Sequence, residues 1–539
     1  MKTRDWRRFL PFLVLVAALA GVATVRLALL GVPLSPDEAG FLRMGGQWSP
    51  GRSLYGDYWV SRPPGITAIF SLAALLGGGT ALRIIGLVAA LASVLLAAAV
   101  GRTLSPGRVW PAAWCGVLTA ALLSTPNLQV QVVDGEVLAL PFLMAGVLGG
   151  LRATVGEPSR RARILWAVCA GASGAAALSV KQNLLDVVVL LGGLVLVLAS
   201  RRAWRPVLDL LLGAAMGAVA LVVPLLALAV ARGTTLAGLW DAVVLYRFRA
   251  ADVLKGTSES TQRRAEALTE AFTTTRAPWV LLLLPTLLLP RRLWRRLGRL
   301  VPHRLSERRT PQRPTAPAPG LVRADDPALA WVALALLVWE AISIRGGGGF
   351  WLHYLVGIVP GLALVLALSL ARLQPGAAWW RWAPRLVVVG GVVAATWSFA
   401  VPFVQDPPAG SRSEQAVAAY LRENAHLGRT AVVAFGRPTI LEAADMQSPY
   451  PQLWSVPVLT DDRDLRRLAP VLEEQRATWV VTRVNKLDDW GLSDAPVLAD
   501  LPRNYERVRQ EGNLVVWRAR SAGSAVVSAR AEPAGRVLP

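Results

Sequence analysis

The stretch PLSPDEAGFLRMGGQWSPGRSLYGDYWVSRPP, residues 33–64, decides how the rest of the chain is read. It follows a long apolar run and places an adjacent acid pair, Asp37 and Glu38, just beyond it. A Tyr-rich polar segment comes next, and then Arg62-Pro63-Pro64. The preceding run, 9–31, has basic residues ahead of it and no small-x-small cleavage site before Pro33. It reads as an uncleaved membrane anchor. The segment after it, PGITAIFSLAALLG (64–77), is apolar but short. If it crossed the membrane, every later arginine-rich loop would lie outside, against the positive-inside rule. It therefore reads as a helix in or dipping into the outer interface, and residues 32–79 as one large outer loop.

Composition supports a membrane setting. Hydrophobic residues make up 54% of the 539 and charged residues only 17%, too little charge for a soluble protein. Apolar runs near the length of a spanning helix recur. Spans are expected at 9–31, 80–101, 109–126, 137–151, 164–179, 183–200, 206–231, 277–290, 327–345, 351–371 and 385–404. The expected fold is thus an α-helical polytopic membrane protein of about 11 transmembrane helices. No internal repeat of the kind found in two-halved transporters is visible.

The formal net charge of +22 invites a nucleic-acid reading, but its distribution excludes one. Arg and Lys cluster in the breaks between apolar runs, ten arginines falling in 291–323 alone. These are topological signals. They put the N-terminus in the cytoplasm and bring the chain out at residue 405. The region 405–520 is nearly neutral, with 15 basic and 16 acidic residues. There 411–427 and 464–476 read as helices, and 430–436, 478–483 and 513–520 as strands. This pattern predicts a small extracytoplasmic α/β domain. Residues 1–404 form the membrane domain and 521–539 a disordered tail. The loop 303–320 is Pro- and Arg-rich and also reads as disordered.

Several outer segments carry residues suited to chemistry. Asp37 is a candidate general base at the membrane surface. Ser35-Pro36-Asp37-Glu38 is equally a good helix start, with acids in the first turn. NLQVQVVDGEVLAL (127–140) puts Asp134 and Glu136 just before a span, where they suit a shared site or a helix cap. Lys181 interrupts an apolar hairpin, which fits either a snorkelling lysine or one that meets an anion. Arg345 is followed by GGGGF (346–350), His353 and Tyr354. That suits a phosphate approached closely by backbone, or a tight turn with an interfacial Arg. No nucleotide-binding P-loop is present. Cys115 and Cys169 give no disulfide or metal spacing. Three histidines give no cluster, so a divalent cation would fall to carboxylates.

Taken in order, these motifs resemble the membrane glycosyltransferases of the GT-C superfamily. The likeness is to the branch of the protein O-mannosyltransferases and the bacterial enzymes that add aminoarabinose to lipid A. Asp37-Glu38, Tyr55-Gly56-Asp57-Tyr58-Trp59 and Arg62-Pro63-Pro64-Gly65 resemble the first loop of that branch. VVDGEVLALPFL (132–143) is similar to its second acidic loop. GASGAAALSVKQNLL (171–185) resembles its small-residue span ending in lysine, and GGFWLHYLVGIVPGLALVLA (348–367) its late His-Tyr span. Arg62 stands where lysine is frequent, and the second loop reads Asp-Gly-Glu.

The resemblance implies a helix bundle that transfers a sugar from a polyprenyl-phosphate donor to an envelope glycan, lipid or protein. It makes Asp37 the base, with Glu38 positioning Asp37 or the acceptor, and Asp134 or Glu136 completes the polar site. Tyr55, Asp57, Arg62, Lys181, Arg345, His353 and Tyr354 would contact donor phosphate or substrate. It implies no fixed cofactor, with a divalent cation compatible. Partners would be donor, acceptor and membrane lipids, at the outer face of the cytoplasmic membrane. The alternatives are a flippase for lipid-linked precursors, which needs charges at mid-membrane depth, or a non-catalytic envelope-assembly protein.

Overall fold

The computed structural model describes residues 6–48, 58–129, 131–255, 258–275, 277–288, 322–372, 409–433, 435–474, 476–487, 492 and 494–520. The chain forms two compact units. The first draws on Met1–Gly31, Arg83–Leu225 and Thr261–Val404, the second on Val32–Leu82, Leu226–Ser260 and Gln405–Pro539.

Among the described residues, seven helical segments are long and apolar enough to cross a membrane. They are Phe9–Ala28, Gly79–Leu104, Gly135–Thr154, Arg160–Val180, Trp204–Ala231, Pro327–Gly346 and Leu352–Arg372. The protein is a multi-pass membrane protein. The expected spans at 109–126 and 183–200 are shorter helices, Trp110–Leu122 and Asp186–Ser200. The stretch 277–290 is two five-residue helices, Ala277–Leu281 and Leu284–Leu288. Pro285, at the second position of the latter, lacks the N–H that would continue the first. The span expected at 385–404, the loop 303–320 and the tail 521–539 lie outside the described residues. The short apolar segment near residue 64 is a 12-residue helix, Pro64–Leu75. At about 1.5 Å per residue it reaches well under the thickness of a bilayer core.

Packing in the first unit relies on small residues. Arg160–Val180 meets the first half of Trp204–Ala231 through Gly171, Gly213 and Gly217. A Cβ on Gly171 would strike the carbonyl of Ala214, and one on Gly217 the carbonyl of Val168. Where lipid is as apolar as leucine, backbone contact of this kind is what holds helices together. Gly171→Val is expected to destabilise the protein by about 1–3 kcal/mol through overpacking, read as a lower melting temperature in detergent. An unchanged melting temperature would mean that these helices have room to part. The Leu352–Arg372 segment is the most enclosed of the seven, with 89% of its apolar window buried, against 11% for Trp204–Ala231.

The second unit holds a four-stranded sheet in the order β1-β2-β4-β3. The strands are β1 (Ala431–Val433), β2 (Trp479–Arg483), β3 (Tyr505–Glu511) and β4 (Leu514–Ala519). β1 and β2 pair in parallel, and the other pairs are antiparallel. The strands expected at 430–436, 478–483 and 513–520 are β1, β2 and β4. β3, YERVRQE, is polar and alternates in burial, as an edge strand does. A two-residue turn at Gly512-Asn513 joins it to β4, with Gly512 at φ +55°. Trp479, Tyr450 and Tyr505 are the largest side chains in this core. Tyr505 donates its hydroxyl to the Ala477 carbonyl at 2.9 Å.

The first-loop helices belong to this second unit. Pro36–Gln47 packs on Pro64–Leu75 so tightly that a Cβ on Gly45 would meet the Phe70–Ser71 backbone at 2.6 Å. Arg43 donates to Asp445 Oδ1 at 3.1 Å and lies 3.6 Å from Glu442. Burial pushes the Glu442 carboxyl above its usual range, and Arg43 opposes that shift. The Ser448 N–H donates to the Tyr58 hydroxyl at 2.9 Å, and the Trp59 N–H to the Pro451 carbonyl at 3.0 Å.

Candidate active site

In the first unit, residues far apart in sequence form one buried polar cluster. Asp134 caps the Gly135–Thr154 helix, its Oδ1 accepting from the Val137 N–H at 3.0 Å. Its Oδ2 lies 3.4 Å from Nδ1 of His353. Glu136, in the first turn, pairs with Lys181, and both side chains are only 3% exposed. Lys181 therefore does not snorkel. It ends the Arg160–Val180 helix, its backbone N–H donating to the Ala177 carbonyl at 3.0 Å. Its ammonium also stands 4.2 Å from the centre of the Tyr354 ring. His353 meets Tyr354 edge-on, centroids 5.0 Å apart, and places Nδ1 3.1 Å from Oε1 of Gln129.

Two further acids belong here that the sequence reading passed over. Asp186 and Glu340 are both buried and close enough to act on each other electrostatically. Glu340 is within electrostatic reach of Glu136 and Lys181. Each sat inside an expected span, 183–200 or 327–345, and an ionisable residue in a span is itself a functional signal. Asp186 opens its helix, and Glu340 lies in the last two turns of Pro327–Gly346. Neither is at the middle of a long helix.

The same unit contains a cavity of about 650 Å³. Phe272, Leu337, Ile344, Phe350 and Leu355 are among its walls, and Arg345 is the charged member of its lining. The Gly-rich segment bends at Gly348 (φ +64°) and Phe350 (φ +50°). Arg264 holds this bend by donating to the Gly349 carbonyl at 2.8 Å and lying 5.0 Å over the Trp351 ring.

The remaining predicted residues are in the second unit or undescribed. Ser35 and Glu38 form a reciprocal capping box at the start of Pro36–Gln47, and Glu38 is fully buried. Asp37 is half-buried, and its Oδ1 accepts from Trp454 Nε1–H at 3.0 Å. Arg62 acts electrostatically on Tyr246. Burial pushes the Tyr246 hydroxyl well above its usual range, and its ring lies 4.4 Å from that of Trp59. Tyr55 and Asp57 lie outside the described residues.

Asp134, Glu136 and His353 each offer one ligand atom, and these atoms lie within 4.8 Å of one another. Two carboxylate oxygens and an imidazole nitrogen fit one divalent cation with open positions. The Glu136–Lys181 pair would have to loosen for Glu136 to bind it. His353 was expected to contact phosphate or sugar, and its place beside these acids is a link that spacing does not show.

No protein-family model and no curated relative matches this sequence. Solved structures do. ArnT from Cupriavidus metallidurans in the apo state superposes with a TM-score of 0.58 at 15% identity, covering 93% of this chain and 97% of that one. The same protein bound to undecaprenyl phosphate gives 0.55 at 15% identity, covering 94% and 98%. The archaeal oligosaccharyltransferase AglB from Archaeoglobus fulgidus is a looser match, 0.47 at 11% identity over 89% of this chain and 70% of that one. The chain shares its overall fold with ArnT, a lipid A aminoarabinose transferase of the GT-C superfamily.

Proposed function

We propose that this protein is a membrane glycosyltransferase that moves a hexose or pentose from a polyprenyl-phosphate donor to an envelope glycan, lipid or protein. The observation that carries the reading is the apolar cavity with Arg345 in its lining, in a chain of GT-C fold. An apolar wall suits a lipid tail and a guanidinium suits a phosphate. The ArnT structure bound to undecaprenyl phosphate shows a protein of this fold holding such a lipid. We place the reaction at the outer face of the cytoplasmic membrane, with a cytoplasmic N-terminus. Residues 1–404 are the catalytic membrane domain in this reading, 405–520 an extracytoplasmic domain and 521–539 a tail.

In the reaction, Asp37 takes the proton of the acceptor hydroxyl or amine. The acceptor attacks the anomeric carbon, the bond from that carbon to the phosphate oxygen breaks, and polyprenyl phosphate leaves with the electron pair. A single displacement inverts the anomeric centre. Glu38 braces the helix that carries Asp37. Tyr55 and Asp57 contact substrate. Arg62, Lys181 and Arg345 balance phosphate charge, and His353 and Tyr354 contact sugar or phosphate. Lys181 does so while paired to Glu136.

A divalent cation, held by Asp134, Glu136 and His353, would add Lewis-acid stabilisation of negative charge. The purified protein is expected to bind Zn²⁺ or Mn²⁺ in calorimetry, and Asp134→Ala with His353→Ala to lose that binding. Equal binding by the double variant would remove these residues as ligands.

The reaction is tested with membranes from cells with and without the protein. Each is given undecaprenyl-phosphate donors bearing a radiolabelled hexose or pentose. Label should enter envelope material, with release of undecaprenyl phosphate, only where the protein is present. No transfer from any donor would overturn the assignment.

A further inference from the structure

Asp37 and Trp454 are 417 positions apart, yet the indole Nε1–H donates to Asp37 Oδ1 at 3.0 Å. Two further contacts hold the ring. A Cβ on Gly40 would overlap its six-membered edge, so only glycine there lets the indole close on the helix. Phe41 lies 5.4 Å away, tilted at 45°. All four residues belong to the second unit.

An acid in the first turn of a helix ordinarily serves the helix start. Here Ser35 and Glu38 meet that need between themselves: Ser35 Oγ accepts from the Glu38 N–H at 3.3 Å, and Glu38 Oε2 from the Ser35 N–H at 2.9 Å. The Asp37 carboxylate is held instead by a side chain from the far end of the chain.

We propose that Trp454 is a positioning residue for the candidate base, so that the C-terminal region supplies part of the catalytic arrangement. The inference rests on the reading of Asp37 as the base. An indole is a donor only. It cannot take the acceptor's proton, and by engaging Oδ1 it leaves Oδ2 as the oxygen that receives it. The proton passes from the acceptor to Asp37, and the Trp454 N–H stays where it is. The rigid ring fixes the angle of the carboxylate, and Gly40 and Phe41 fix the ring.

The test compares Trp454→Phe, which keeps an aromatic ring and removes the donor, with wild type in the labelled-donor assay. A charge-assisted hydrogen bond of ordinary strength predicts a kcat lower by about ten- to a hundredfold, with donor KM within about twofold. Gly40→Ala, which pushes the ring away without touching the acid, should reproduce the loss and serves if Trp454→Phe does not accumulate.

The decisive comparison uses Asp37→Glu, which keeps a carboxylate but sets it one methylene further out. On that background Trp454→Phe should cost less than about twofold, because the pair acts as one unit. A full, multiplying loss there would mean that Trp454 only supports the fold and would overturn the proposal. So would wild-type kcat in both Trp454→Phe and Gly40→Ala. If Asp37→Asn is inactive while Trp454→Phe is fully active, the positioning role falls and the base stands. If Asp37→Asn transfers normally, the base assignment falls and this inference with it. A wild type inert with every donor overturns the transferase reading and this inference together.

Discussion

Replacing Asp37 with Asn is expected to lower kcat for sugar transfer by about 10²–10⁴-fold, the usual worth of a positioned general base. The substitution is nearly isosteric. The amide oxygen still accepts from Trp454, and the capping box of Ser35 and Glu38 is untouched, so the helix start should persist. The loss should therefore appear in kcat at matched expression, with donor binding little changed. Equal transfer by the two proteins would remove Asp37 from catalysis. It would shift attention to Asp134 and Glu136.

The second large effect concerns the Glu136–Lys181 pair, buried in the first unit. Lys181→Met leaves the buried Glu136 without its cation. Breaking one side of a buried pair costs about 3–5 kcal/mol. The variant is expected to melt far below wild type in detergent or fail to accumulate. Adding Glu136→Leu should recover most of the lost stability, because apolar residues can replace a buried pair at little cost. The rescued protein should still transfer no sugar. If Lys181→Met alone melts like wild type, the pair does not exist as described. If the double variant transfers sugar, neither charge takes part in the reaction.

Long-range pairing marks the boundary of what could be read without coordinates. Hydrophobic runs located the helices because a bilayer enforces a length and a polarity on each. The run 277–290 misled because Pro285 breaks it, and composition outweighed that proline in the reading. β3 escaped because a polar edge strand looks like a loop until its partner β4 is known. Among the candidate residues, Asp37, Glu38, Asp134, Glu136 and Lys181 stood out as charges beside apolar runs. The choice between cap and site at residues 35–38 could not be made from spacing. In the structure Glu38 joins the capping box, while Asp37 turns to a tryptophan that nothing local connects to it. Asp186 and Glu340 were hidden for the opposite reason. One acid in an apolar run reads as a boundary, and only folding shows that two such acids lie within electrostatic reach of each other.

The enclosure of Leu352–Arg372 has a consequence for how the protein is made. Its walls come largely from helices that leave the ribosome earlier, yet it is the most fully wrapped of the spanning segments. Those earlier helices can pair with one another as they enter the bilayer, as Arg160–Val180 does with Trp204–Ala231, but the slot for Leu352–Arg372 is filled only when a segment two-thirds of the way along the chain arrives. A nascent chain stopped short of residue 352 would present an open groove to the membrane, the kind of surface that quality-control proteases recognise.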